Sequence, residues 1–138
     1  MKRSQISTEL IIVLSALLII FLIIISILNK RSDEYFFNQR YMDAKGYSEK
    51  VASQLNTVFL SGPGTRARVE LPQTLRDNTN YSINIYPQQH VVEIAWLSKN
   101  NIRHYSSQIL TSNITGKISN INGNINITNI EGGIVIEG

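Results

Sequence analysis

Cysteine is absent from this chain, which excludes a disulfide framework and a thiolate metal site and leaves the redox compartment open. The only histidines are His90 and His104. Both fall in segments that read as strands, and neither has a neighbour at metal-ligand spacing. The carboxylates are scattered, with no two spaced as an acid/base pair. The glycine-containing stretch S-G-P-G-T-R at 61–66 lacks the lysine and spacing of a phosphate-binding loop and reads as a helix stop. No catalytic residue, cofactor or metal site is therefore expected, and the chain is not expected to be an enzyme. Charge is also scarce: the formal net charge is +3, too small to argue for a nucleic-acid partner.

What the chain has instead is grease at one end. Residues 10–28 are nineteen in a row without a charge, interrupted only by Ser15 and Ser26. That is long enough to cross a bilayer as one helix, and too long for the apolar region of a secretory signal peptide. No small-residue cleavage site follows it, so the helix is expected to be retained. Ser15 and Ser26 are either neutral or small residues that let helices approach closely. Glu9 stands directly against the run, where an unpaired charge in hydrocarbon would cost several kcal/mol. A plain anchor gains nothing from it. Its bland role is that of a first-turn carboxylate interacting with the helix dipole, at about 0.3–1 kcal/mol.

The segment Lys2-Arg3-Ser4-Gln5-Ile6-Ser7-Thr8-Glu9, followed by the apolar run, resembles the class III signal of archaeal type IV pilins and pilin-like proteins. In that family a membrane-embedded peptidase cuts a short basic leader just before the Gln of a Q-x-S-x-E core. The resemblance implies a leader of residues 1–4, cleavage between Ser4 and Gln5, and recognition through Ser4, Gln5, Ser7 and Glu9. Ser4 stands where the family often has Gly, and Val13 where it often has Leu. Cleavage would remove Lys2 and Arg3 and leave a formal charge of +1 (3 − 2). The resemblance also implies that Glu9 neutralises the new Gln5 amine of an adjacent subunit. Burial of both charges is tolerable only when they meet, so Gln5 and Glu9 would set the register of one helix on the next. A contact of that kind that does not close on itself makes a filament.

Residues 29–60 contain no Pro and only one Gly, Gly46. Phe37, Tyr41, Ala44, Val51, Leu55 and Val58 recur at helical steps, with charged residues between them. The helix is expected to continue to residue 60, roughly 80 Å from Gln5 at 1.5 Å per residue, with a possible bend at Gly46. The aromatic group Tyr35, Phe36, Phe37, Tyr41 and Tyr47 reads as an interfacial belt passing into domain core. Beyond Gly62-Pro63 the chain reads as β. Strands are expected at 66–71, 81–86, 90–97 and 102–110, pairing in succession as one antiparallel sheet against the amphipathic half of the helix. The Asn-, Ile- and Gly-rich tail from residue 111 carries turn signals at Asn122-Gly123 and Gly132-Gly133. It is expected either to finish that sheet as a small meander or to add its last strand to a neighbour's edge.

The fold class expected is α+β, type IV pilin-like: a leader (1–4), a long helix (5–60) and a small antiparallel β domain (61–138). A bare count of Lys2 and Arg3 against Lys30, Arg31 and Arg40 would put the C-terminal domain in the cytoplasm. The sequons at Asn80, Asn113 and Asn126 argue instead for an external face, because N-glycosylation requires one. The implied function is a structural subunit of a pilus-like surface filament used for adhesion. Its partners would be further copies of itself, the prepilin peptidase, the assembly platform and, before assembly, the membrane. The alternatives are a minor pilin or pseudopilin that primes or caps a filament, and a monomeric membrane-anchored extracellular binding domain.

Overall fold

The computed structural model describes residues 2–98, 101–117, 119 and 123–137. Helix α1 runs Lys2–Ser61, and seven strands follow: β1 Arg66–Val69, β2 Tyr81–Tyr86, β3 Val91–Ser98, β4 Asn101–Gln108, β5 Ile114–Gly116, β6 Ile125–Ile130 and β7 Gly133–Glu137. The architecture is α+β, one N-terminal helix followed by small sheets. The chain divides into a first unit that ends at Phe36 and a second, Phe37–Gly138. In the first unit every side chain described, from residue 8 on, is exposed. The amphipathic half of α1 belongs to the second unit.

Within the second unit the helix buries Ala44, Ser48, Val51, Ala52, Leu55 and Val58. Steps of three and four keep these on one face. Phe37 and Tyr41 begin the expected stripe but stay over a third exposed. Gly46 lies on the open side with nothing near its missing Cβ. The helix face joins Ile83, Ile85, Val92, Ile94, Trp96, Ile125, Ile127, Ile134 and Ile136 in one hydrophobic core. Each such aliphatic side chain stabilises the fold by roughly 1.5–3 kcal/mol when fully buried.

The strands form two sheets, not the single antiparallel one expected. One is β2-β3-β4, wholly antiparallel. The other has the order β1-β6-β7-β5, and its β5–β7 pair is parallel. β1 therefore leaves its sequence neighbour β2 and pairs with β6, Arg66 opposite Thr128 and Val69 opposite Ile125. The tail builds a second sheet around β1 and does not extend the first. Nor is the last strand available to a neighbour's edge, since β7 is hydrogen-bonded to β6 on one side and β5 on the other.

Local chemistry explains these departures. The β6–β7 turn closes on the pair Ile130–Gly133, so its two central residues are Glu131 (φ 53°) and Gly132 (φ 88°), one position earlier than expected. Positive φ at both matches the twist of the flanking strands. β5 can lie against β7 because Gly116, at φ 97°, has no Cβ; one would fall 2.1 Å from the Ile136 carbonyl oxygen. Asn122 of the other expected hairpin turn lies outside the described residues, as do Lys99 and Asn100 at the β3–β4 turn.

The end of α1 is tied to the second sheet through one buried amide. Gly62 takes φ 87° directly after the helix, the left-handed cap that Cβ-bearing residues avoid. Nδ2 of Asn129 donates to the carbonyls of Val58 (3.0 Å) and Phe59 (3.4 Å), and its Oδ1 accepts from Gly132 N–H (3.0 Å). The Asn129 backbone exchanges bonds with Gly64 N–H and the Thr65 carbonyl, both 2.9 Å. Helix end, β1 entry and the β6–β7 turn thus meet at one residue. Asn129→Ala is expected to destabilise the domain by about 1–3 kcal/mol, the cost of leaving buried polar groups without partners. Thermal unfolding of the full chain in detergent, followed by near-UV circular dichroism, measures it. Asn129→Asp should fare no better, because it aims a negative charge at two carbonyl oxygens.

Candidate functional site

The first unit presents sixteen large apolar side chains between Leu10 and Leu28, all exposed. No face of the helix is spared. Ile25, the most covered, is still 38% exposed. Leaving so many aliphatic groups in water would cost tens of kcal/mol at roughly 1.5–3 kcal/mol each, more than the whole stability of an ordinary domain. A helix apolar on every side is one whose solvent is lipid or other helices. This segment is a candidate membrane span by length and composition. Ser15 does not disturb that, because its hydroxyl donates to the Ile11 carbonyl at 2.8 Å and is satisfied within the helix.

Glu9 is exposed at the start of this surface. The first turn of α1 holds no acidic residue, since the helix already begins at Lys2. With residues 1–4 in place, Glu9 is therefore too far along to be the first-turn carboxylate weighed above, and the dipole effect has faded by that depth. The backbones of Ser4, Gln5 and Ser7 are helical; their side chains lie outside the described residues. Gln5 and Glu9 are four apart and so share one side of the helix.

The aromatic group divides as the units do. Tyr35 and Phe36 are exposed in the first unit, edge to face at 6.0 Å. In the second, Arg103 lies over the Phe37 ring at 5.7 Å. Tyr41 meets Tyr105 edge-on at 5.4 Å, and Tyr47 packs on Tyr81 at 5.6 Å. The three sequon asparagines, Asn80, Asn113 and Asn126, are all exposed on the second unit. Asn126 and Thr128 sit two apart in β6 and share its outer face.

The histidines do not meet. His90 is not in a strand: it has φ 57° and ends a short 3-10 turn, Pro87–Gln89. His104 lies opposite Ala95, five residues along β3 from His90, about 17 Å at the strand rise. Among the described residues no group of three or more His, Asp or Glu is placed to hold a metal. Two residues that matter structurally, Ser48 and Asn129, escape a hydropathy reading because both are polar. Ser48 is fully buried and donates to the Val92 carbonyl at 3.0 Å. The available signal was position: Ser48 fills the step between Ala44 and Val51.

Compared with protein-family models, curated proteins and solved structures, the chain matches none.

Among the described residues outside the apolar segment, the perturbed titratable groups are two phenols. Burial, then the neighbouring Tyr47, pushes Tyr81 up to about 12, and its hydroxyl donates to the Pro72 carbonyl. Burial raises Tyr47 too, with Asp43 adding and Arg76 opposing. Both stay protonated donors and offer no base or nucleophile. An unfolded tyrosine ionises near pH 10, so between pH 10 and about 12 the unfolded chain sheds a proton that folded Tyr81 keeps. Stability from this group is complete below pH 10 and lost as the pH rises through 12, on the order of 2 kcal/mol in all. Guanidinium unfolding of the full chain in detergent, followed by the single tryptophan, Trp96, should show that loss; Tyr81→Phe should flatten it.

Proposed function

We propose that the chain is a pilin-like structural subunit of a type IV pilus-like surface filament. The leader, residues 1–4, is removed before Gln5 by a prepilin peptidase. The mature helix waits in the membrane and is then moved by the assembly platform into a bundle of identical helices. The single observation that carries this reading is the ordered constellation at the N-terminus: basic leader, Gln5, Ser7, Glu9, then a helix apolar on every face with no cover of its own. Each part has a job in that scheme, whereas a plain anchor needs the apolar helix and its basic flank but gains nothing from Glu9.

Cleavage trims the helix to start at Gln5, one turn from Glu9, and creates a positive amine there. In a bundle the amine of one subunit and the carboxylate of its neighbour neutralise each other inside a low-dielectric core. Mispaired registers leave two buried charges without partners, so the pair selects one axial offset. Repeating that offset without closure yields a helical filament. The domain from Phe37 onward stays in solvent, outside the cell, which is consistent with three exposed sequon asparagines. Adhesion is the task the family resemblance suggests. No catalytic role is proposed.

Glu9→Ala is expected to leave leader removal intact and to abolish incorporation into filaments. An unpaired charge buried at each contact costs about 3–5 kcal/mol, more than a hundredfold in the association equilibrium. Immunoblots of sheared filament and membrane fractions measure both steps. A Glu9→Ala protein distributed like the wild type would support the monomeric anchored domain instead. Wild-type protein found in filaments only at trace abundance would support the priming or capping role.

A further inference from the structure

Strand β4 is an open sheet edge. It ends the order β2-β3-β4, and the direction of its backbone groups follows from one bond: Ile109 N–H donates inward to the His90 carbonyl at 2.9 Å. Backbone groups alternate along an antiparallel strand, so those of Ile102, His104, Ser106 and Gln108 point outward, away from β3. Leu110 continues that series, and its N–H is taken by Oδ1 of Asn56 at 2.8 Å. Edges are commonly guarded by shortness, charge, proline or a bulge. β1 has four residues with two arginines, β5 has three residues, and β2 is met at its start by Thr74 bridging Asn80. β4 has eight residues, no proline and an unbroken register with β3. Its one formal charge, Arg103, lies over the Phe37 ring and so does not guard the edge. The chemistry that matches such a row of donors and acceptors is another extended backbone.

The helix side of this edge specifies more. A groove of about 510 Å³ runs between β4 and α1, lined by Glu49, Ala52, Ser53, Asn56, Tyr105 and Ser107 among others. The Ser107 hydroxyl oxygen is buried and has no hydrogen-bond partner. Glu49 brings a carboxylate to the same groove, held only loosely by Lys45 at 3.9 Å. An occupant that fits is an extended strand carrying a cationic donor on its helix-facing side.

β4 is itself such a strand. Two-fold antiparallel pairing that sets Tyr105 opposite its counterpart puts Ile102 against Gln108 and His104 against Ser106. All four outward residues of each strand are then used, in about eight hydrogen bonds; registers two residues away use fewer. In this register Arg103 of each copy stands opposite Ser107 of the other and beside that copy's Glu49. No like charges oppose, and the two Tyr105 rings form an aromatic cross-strand pair. There is room for both helices. The amphipathic part of α1 lies over β3: Ser48 bonds Val92 of β3, while Tyr47 reaches Tyr81 of β2 to one side and Tyr41 reaches Tyr105 of β4 to the other. The two helices would stand three strand spacings apart, about 14 Å, more than a helix diameter of about 10–12 Å.

We propose that β4 pairs antiparallel with β4 of a second copy of this chain, joining two three-stranded sheets into one of six strands. The pairing stands apart from the function proposed above, but its place rests on that reading. The two-fold reverses the amphipathic helix of the second copy, whereas subunits of one filament all run the same way. The second copy therefore belongs to another filament, and the contact ties filaments side by side in opposite directions.

The absence of cysteine permits a direct test on the full chain in detergent. Tyr105→Cys should form a disulfide-linked dimer under mild oxidation, in several-fold higher yield than Ile130→Cys, an exposed control on the other sheet. In the Tyr105→Cys background, Ser106→Pro removes an outward N–H without touching the β3 ladder, and Arg103→Glu reverses the charge. Each should cut the yield several-fold, with circular dichroism unchanged, and Glu49→Arg should restore it to the Arg103→Glu chain. Equal yields at Cys-substituted positions 105 and 130 overturn the proposal, as does a dimer that Ser106→Pro leaves intact, which assigns the contact to the apolar helices. Electron microscopy of sheared filaments separates this from the function beneath it. Wild-type filaments should lie in lateral bundles that Ser106→Pro disperses without preventing assembly. Bundles that survive Ser106→Pro overturn the placement between filaments, and a chain that pairs through β4 yet never enters filaments overturns the filament reading alone.

Discussion

A helical surface of nineteen uncharged residues with nothing folded over it is the constraint on which everything else depends. Hydrophobic burial is non-directional, so such a surface says that something must cover it and not what. The acidic residue at its edge narrows the answer. Lipid tails cover leucine and isoleucine at no loss, but they offer Glu9 nothing. A bundle of copies covers the apolar face equally well and can also supply a positive partner. In the proposed filament, transfer from membrane to bundle would be close to neutral for the apolar side chains, and the charged pair would decide where the helices stop sliding.

The same helix changes character part-way along. Before residue 29 the apolar residues are continuous; after Phe37 they narrow to a stripe of Ala44, Ser48, Val51, Ala52, Leu55 and Val58. The small residues Ala44, Ser48 and Ala52 let the sheets approach closely, and Ser48 turns its hydroxyl to good use by bonding the β3 backbone. At the far end Asn129 satisfies carbonyls that any helix end leaves without partners. The globular unit is thus built onto the helix by bonds to its backbone as well as by burial.

How much of this was legible depended on the range of the interaction. The alternation of Tyr81–Tyr86 and the stop at Gly62-Pro63 are local, and both are where the sequence places them. The sheet partners are not local. Nothing in Arg66–Val69 announces that it pairs with a strand about sixty residues later in preference to the next one, and the parallel β5–β7 pair turns on Gly116, an unremarkable glycine until Ile136 is beside it. His90 reads as a strand residue by alternation, yet Pro87 seeds a 3-10 turn that it terminates. At the N-terminus the motif and the apolar run are fully visible in the sequence. The start of α1 at Lys2 is not, and while residues 1–4 are in place it puts Glu9 beyond the first turn, where the helix dipole has faded.

The central claim is that Glu9 is kept for an amine that exists only after processing. Intact mass of the protein recovered from its own cells tests it most directly, with peptide mapping of the N-terminus. The account predicts a chain that begins at Gln5, lacking Met1 to Ser4, with any further mass attributable to glycans on Asn80, Asn113 or Asn126. A mature chain that still carries Lys2 and Arg3 would contradict it.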